Sequence, residues 1–250
     1  MSAGQDLTVE ESGEAENFRN RIDILCKSAF EKDLPILIDA EDSWFQNFID
    51  EVVLEMMVKY NKEKAIVFNT FQMYRWNRLD FLKESYEKAV NGNYFLGAKF
   101  VRGAYMEKER ERAAKMGYAL PIQPDKESTD RDYNAALKFC MEHIDRISIF
   151  NGTHNEDSSR YLTELMEQND LKKNDSRIWF SQLYGMSDHI SFNLAHQGYN
   201  VAKYLPYGPV KHVVPYPVRR AEENTSVKGQ TGRELRLIAK EIKRRKSGKK

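Results

Sequence analysis

Six runs with strand character, mostly about 30 residues apart and separated by segments of helical period, constrain this 250-residue chain more than any other feature. They are LPILIDAED (34–42), KAIVFNTFQMY (64–74), GAKFVRGAY (97–105), RISIFNGTHN (146–155), RIWFSQLYGM (177–186) and YNVAKYLPYG (199–208). After the first comes SWFQNFIDEVVLEMMVKY, which places Phe45, Phe48, Ile49, Val52, Val53 and Met56 on one helical face. SSRYLTELMEQNDL follows the fourth run, and STDRDYNAALKFCMEHID precedes it with a Ser/Thr-x-x-Asp start that predicts a helix cap. Strands alternating with helices predict a parallel sheet with crossover helices. Two architectures satisfy that, an open doubly wound sheet or a closed (β/α) barrel.

The strand ends choose between them. A doubly wound dinucleotide fold needs a glycine-rich turn after its first strand, and LPILIDAEDSWF contains no glycine. Polar residues instead mark the C-terminal end of every run: Asp39 and Glu41, Asn69, Arg102 and Tyr105, His154, Gln182, Tyr204. In a barrel those ends converge on one face, where catalytic groups sit. The expected fold is therefore α/β, a TIM-type (β/α)8 barrel, incomplete here because it needs eight strands and the pattern supplies six β/α units.

A net charge of +1 gives no general attraction to nucleic acid. No apolar run approaches the roughly 18 residues that span a bilayer, and the N-terminus lacks a basic region followed by an apolar one. A bacterial cytoplasm is the expected setting. Cys26 and Cys140 lie within helical patterns and read as buried or inert thiols. Residues 1–18 carry five acids and no Lys or Arg and read as a disordered acidic tail. A single domain is expected over 19–245, with a basic tail at 246–250. Residues 233–250 carry nine Lys/Arg against two Glu, with Leu235, Leu237, Ile238 and Ile242 giving an apolar side. That pattern suits a last helix finished by basic residues, or contact with an acidic membrane surface at the periphery of an inner membrane.

The chain has no GxxxxGK[ST], GxGxxG or HExxH, and no close His/Cys cluster. Of five histidines only His154 ends a strand run. Asp39 closes an apolar run and needs a cationic or hydrogen-bonding partner. Lys99 lies inside a strand run, where it could serve as a Schiff-base nucleophile, as a cation for a bound anion, or as an outward-facing residue. Tyr105, Tyr184 and Tyr204 suit the wall of a small pocket or a core. In VVPYPVRRAEEN, Arg219 and Arg220 precede Glu222 and Glu223 at helical ion-pair spacing. The pair also suits a carboxylate substrate, because a guanidinium grips a carboxylate with two parallel hydrogen bonds. Together these groups suit an organic cofactor with anionic parts.

FVRGAYMEKERERAAKMGY, GTHN, FSQLYGMSD, NVAKYLPYGPV and YPVRRAEENTS, in this order and spacing, make the chain from about residue 19 to about residue 245 resemble the proline dehydrogenase family. The resemblance implies a (β/α)8 barrel that binds FAD without a Rossmann motif. It implies oxidation of L-proline to Δ1-pyrroline-5-carboxylate, with electrons passing from the flavin to a membrane quinone. Carried over by position, Arg219 and Arg220 would clamp the proline carboxylate from a helix over the barrel mouth. Glu223 would face the flavin's ribityl region, Tyr204 would pack on the proline ring, and Leu183 would form an apolar wall. Asp39 would pair with a lysine and organise the substrate pocket. Lys99, where many relatives carry Arg, would touch the flavin, and Asn69, elsewhere often Gln, would reach its reactive edge. Arg102, Gly103, Ala104 and Tyr105, with Thr153, His154 and Asn155, would complete the flavin cradle. Met106 stands where some relatives stack a Trp near the adenine. The family has two further strands before ILIDAED, one of which carries the lysine that partners Asp39. The open sheet edges left here favour self-association. Two rival readings stand beside the enzyme: an inactive remnant acting through self-association or partner binding, and an aldolase-like lyase using Lys99.

Overall fold

The structure, a computed structural model, describes residues 9–214, 216, 218, 239–240 and 242–247. The chain divides into two units, Met1–Lys203 and Tyr204–Lys250. In the first unit the strands are β1 (Ile36–Ile38), β2 (Val67–Gln72), β3 (Leu96–Val101), β4 (Ile147–Gly152), β5 (Ile178–Leu183) and β6 (Val201–Tyr204, which runs to the first residue of the second unit). They form a six-stranded sheet in the order β1-β2-β3-β4-β5-β6, and β1 to β5 pair in parallel. No step in that order reverses. A doubly wound sheet must reverse at a switch point, whereas right-handed crossovers that always advance by one strand put every helix on the same face and curl the sheet into a barrel. The six strands are thus an open (β/α) barrel, as the sequence pattern predicts.

The helices are α1 (Val9–Glu31), α2 (Ser43–Tyr60), α3 (Arg78–Asn91), α4 (Met106–Met116), α5 (Lys126–Glu142), α6 (Glu156–Gln168) and α7 (Asp188–His196). Helix α1 starts at Val9, inside the stretch read as a disordered tail; an acid-rich start suits the positive end of a helix dipole. On α2, Ile49, Val52, Val53 and Met56 are buried as expected. Phe45, expected on the same face, is 58% exposed on the first turn of α2, where its ring lies 6.2 Å from that of Trp44. The cap of α5 also differs from expectation. Asp125 accepts a 2.7 Å hydrogen bond from Ser128 N, while the hydroxyl of Thr129 donates back to the Asp125 carbonyl.

The two-residue period of a strand sorts the side chains. Val67, Phe71, Leu96, Ala98, Phe100, Ile147, Ile149, Ile178 and Phe180 point into the helix layer and are wholly or almost wholly buried. The alternate residues line the concave face. Across it the register aligns Thr70 with Lys99, Lys99 with Phe150, and Phe150 with Trp179. Gly97 occupies the concave position next to Phe68, where a Cβ would lie 2.8 Å from the ring's Cγ and 2.3 Å from the Val67 carbonyl. Glycine weakens a strand. Here the Phe68 ring requires it, and Phe68 meets Phe150 edge-on at 6.5 Å between ring centres.

Two buried polar residues lock the layers together. Asn61, after α2, accepts from Ile66 N and Val67 N and donates to the Val67 and Phe95 carbonyls, all at 2.8–2.9 Å. Asp50 on α2 accepts from Gln46, Asn69 and both Nη atoms of Arg78. Cys26 and Cys140 are buried free thiols, as expected; burial pushes Cys26 up to about 12 and raises Cys140 as well.

In the second unit, α8 (Val210–Val213) follows Pro209, and Tyr204 meets Tyr216 edge-on at 5.5 Å. Residues 239–240 and 242–247 are helical and exposed. Arg219, Arg220 and Glu223, expected on a helix over the barrel mouth, lie outside the described residues.

Candidate active site

Past the C-terminal tips of the strands the connecting loops are tied to one another in sequence around the rim. Asp39, one residue beyond β1, pairs with the ammonium of Lys99 on β3. The resemblance placed the lysine that partners Asp39 on a strand before β1; here Lys99 takes that part. One strand, β2, separates them in the sheet, and only the curl of the sheet lets one side chain reach the other. Lys99 is 15% exposed and its partner 59%, so the cation sits inward and the carboxylate outward. A lysine engaged by a carboxylate offers charge rather than a nucleophilic lone pair, which leaves the lyase reading without support.

The same rim is fastened beside that pair. Gln72, the last residue of β2, donates to the Glu41 carbonyl at 2.8 Å. The Tyr105 hydroxyl bonds the Glu41 carboxylate, and burial together with that carboxylate raises the phenol above its ordinary range. Glu109, wholly buried on α4, accepts from Ser43 N at 2.6 Å and from the Ser43 hydroxyl at 2.7 Å, which clips α4 to the start of α2. The loops after β1, β2 and β3 are thereby joined to one another by side-chain hydrogen bonds.

Between β3 and β4 the tie is Arg102. Its Nε donates to Asp130 at 2.7 Å, Nη1 to the Thr153 hydroxyl at 2.6 Å and Nη2 to the Ser158 hydroxyl at 3.0 Å, while the guanidinium lies 4.4 Å from the Tyr133 ring centre. Arg102 was expected to cradle a cofactor; its fork is committed to the protein, joining β3, α5, β4 and α6. Gly103 follows with φ +142°, and a Cβ there would sit 2.3 Å from the Tyr74 ring. Only glycine fits. Ala104 is exposed next to it.

At the tip of β4, Thr153 is buried; its hydroxyl accepts from Arg102 and from Asn155 N. Asn155 caps α6 by accepting from Ser158 N at 3.0 Å. His154 Nδ1 lies 3.0 Å from the Ser187 hydroxyl in the β5–α7 turn. From β6, Lys203 donates to Leu183 O, Met186 O and Asp188. The structure therefore gathers Asp39, Lys99, Tyr105, His154 and the end of β5 at Leu183 on one end of the sheet, and Tyr204 ends β6.

Two expectations are corrected. Asn69 was placed at a strand end, near the reactive edge of a cofactor. It sits mid-strand with its side chain in the helix layer, fully buried, donating to Asp50 at 2.8 Å. The alternation of β2 sends residues 67, 69 and 71 outward, and it is Gln72 that reaches the rim. Gln182 likewise turns into the helix layer, accepting from the Ser191 hydroxyl at 2.7 Å. Reading β2 from Phe68 in steps of two would have found Gln72. Nothing in the sequence signals Ser187 or Lys203.

The sequence model of the proline dehydrogenase family matches residues 2–233. "Proline dehydrogenase 1, mitochondrial" of Drosophila melanogaster is 42% identical over 245 residues, covering 93% of this chain and 36% of that protein. Its counterpart in Homo sapiens is 42% identical over 242 residues, covering 96% of this chain and 40% of that one. The chain spans about two fifths of the length of these relatives. The solved structure of proline utilization A from Bdellovibrio bacteriovorus, inactivated by N-propargylglycine, superposes with a TM-score of 0.79 at 24% identity, over 87% of this chain and 22% of that one. That likeness is one of fold. Both curated relatives are named mitochondrial, which overturns the expected bacterial cytoplasm.

Proposed function

The chain belongs to the proline dehydrogenase family, and we propose that it oxidises L-proline to Δ1-pyrroline-5-carboxylate with FAD, in a mitochondrial setting and with a quinone as the final electron acceptor. The observation that carries this reading is the inward cation at the rim: Lys99, held by Asp39, stands on a concave face floored by Phe68 and Phe150. An aromatic floor, a fixed cation and polar side chains at the strand tips are the donor set that a flavin with its anionic diphosphate calls for.

Lys99 and the His154 ring would hold that group, with Gly103 and Ala104 giving it backbone to approach. When bound, FAD supplies the acceptor for the hydride that leaves proline C5. The protein's part is placement: Asp39 fixes Lys99, Tyr105 and Gln72 fix the Glu41 loop, and the ring of ties keeps the rim from yielding as substrate enters. Leu183 and Tyr204 would supply the apolar wall against the proline ring, Tyr204 narrowing the space left for a 4-hydroxyl. Arg219 and Arg220 would grip the carboxylate, with Glu223 on the next turn, because two guanidinium forks fix orientation as well as charge. The exposed basic helical residues 239–240 and 242–247, with Lys240, Lys243 and Lys246, would give peripheral contact with an anionic lipid surface near the quinone.

The test is an absorbance spectrum of the purified chain after addition of FAD. A flavin band near ~450 nm that stays with the protein and bleaches on adding proline supports the enzyme. Protein that takes up no flavin refutes it and favours an inactive remnant.

A further inference from the structure

We propose that Lys203 is a positioning residue: from β6 it holds the β5–α7 turn in the one conformation that delivers Ser187 to His154. An ammonium has three N–H donors. In Lys203 they meet Met186 O at 2.7 Å, Asp188 Oδ1 at 2.7 Å and, at the longest reach, Leu183 O at 3.4 Å. Two of these acceptors belong to the residues on either side of Ser187, so the cation straddles that serine.

Ser187 needs such a hold. It occupies the N-cap position of α7, where a serine ordinarily keeps extended backbone and turns its hydroxyl back on the first turn of the helix. Here φ is +51° and ψ +41°, a left-handed conformation that a non-glycine residue adopts only when its surroundings enforce it, and the side chain makes no cap bond. The hydroxyl is instead buried and 3.0 Å from His154 Nδ1. A serine that gives up its cap and takes a strained backbone to reach a histidine is being aimed. Gly185, at φ +74°, turns the chain just before it. The remaining groups packed on the turn are Gln182 and Ser191, bonded to each other, and His189, which faces Glu156 at 3.9 Å. Ser191 reaches the Ser187 carbonyl itself, from its N–H at 3.2 Å and its hydroxyl at 3.4 Å, and none of these groups bonds Met186 or the Asp188 carboxylate. Lys203 bonds both, with charge-assisted hydrogen bonds.

The geometric claim stands on this structure alone; its meaning for a flavin site rests on the function proposed above. The experiment separates the two. The histidine side-chain nitrogens of the labelled full chain are followed by long-range 1H–15N NMR in the parent, Lys203→Met and Ser187→Ala, with circular dichroism as the check of folding. In the parent His154 is expected to show two well-separated nitrogen signals, those of one fixed tautomer. In both variants they should move away from the parent's positions as the Ser187 bond is lost, while His143, stacked on Tyr86, stays unchanged. A lysine of merely structural worth would lower the unfolding midpoint and leave the His154 signals in place, and that result overturns the proposal. Should Lys203→Met fail to fold, Asp188→Asn removes one leg of the tripod and must shift the same signals in the same direction; no shift overturns the proposal equally. Flavin fluorescence quenching by the parent is read separately. Its absence sinks the flavin reading and leaves the Lys203 result standing.

Discussion

Arg78 grips Asp50 with two parallel hydrogen bonds of 2.7 and 3.0 Å, at a depth where the side chains are 2% and 5% exposed. The same carboxylate accepts from Gln46 and Asn69, so one acid on α2 ties together α3 and β2. A buried ion pair contributes little compared with a well-packed apolar pair, yet breaking one half strands a charge.

Asp50→Ala is therefore expected to lose about 3–5 kcal/mol of stability, because the Arg78 guanidinium and Asn69 amide are left without their acceptor. Glu51→Ala, one residue on, breaks a surface pair with Arg19 and should lose less than about 1 kcal/mol. Urea unfolding midpoints decide it, and equal losses would contradict the network.

Gly103 and Gly117 both have positive φ, but they differ in their neighbours. A Cβ at Gly117 meets nothing within 4 Å, so Gly117→Ala carries only the backbone term, about 1–2 kcal/mol. At Gly103 it meets the Tyr74 ring at 2.3 Å, and Gly103→Ala should lose about 2–5 kcal/mol and disturb near-ultraviolet circular dichroism as Tyr74 shifts. Similar losses at both positions would mean the rim yields more readily than the geometry implies.

Alkaline pH should weaken the fold through Cys26. Its folded pKa is pushed up to about 12 from an ordinary 9.0, chiefly by burial, so above 9.0 the unfolded chain releases a proton that the folded chain keeps. Stability is full below 9.0 and falls through the window up to about 12, by roughly 1.4 kcal/mol per pH unit for one proton. Cys26→Ala should flatten that slope. Cys140, raised in the same direction, contributes a parallel loss. Thiol titration at pH 8 is expected to find both cysteines unreactive until the protein unfolds.

For the proposed carboxylate clamp, Arg220→Lys keeps the charge and loses the fork. The KM for proline should rise about tenfold or more, the equivalent of one charge-assisted hydrogen bond, while Arg220→Ala goes further. Steady-state kinetics with an artificial electron acceptor checks it; an unchanged KM in the lysine variant would remove Arg220 from the substrate's carboxylate.

The periodic apolar pattern of this chain determined a great deal on its own. All six strands lie within the runs read from it or one residue outside them, and the absence of a glycine after ILID excludes the dinucleotide architecture. Those are local signals, carried by the spacing of residues along the chain. Facing is more fragile: a one-residue error in where a strand ends reverses the side a residue points to, which is why the sequence suggests Asn69 for the rim although Gln72 is the residue that reaches it. The partners of the rim were beyond the sequence altogether. That Asp39 meets Lys99, that Arg102 spends its fork on Thr153, Asp130 and Ser158, and that Lys203 reaches around Ser187 all depend on the curl of the sheet and the path of the loops. Side chains separated by tens of residues acquire partners only when the closing strands bring them within hydrogen-bond reach, and no periodicity in a chain encodes that distance.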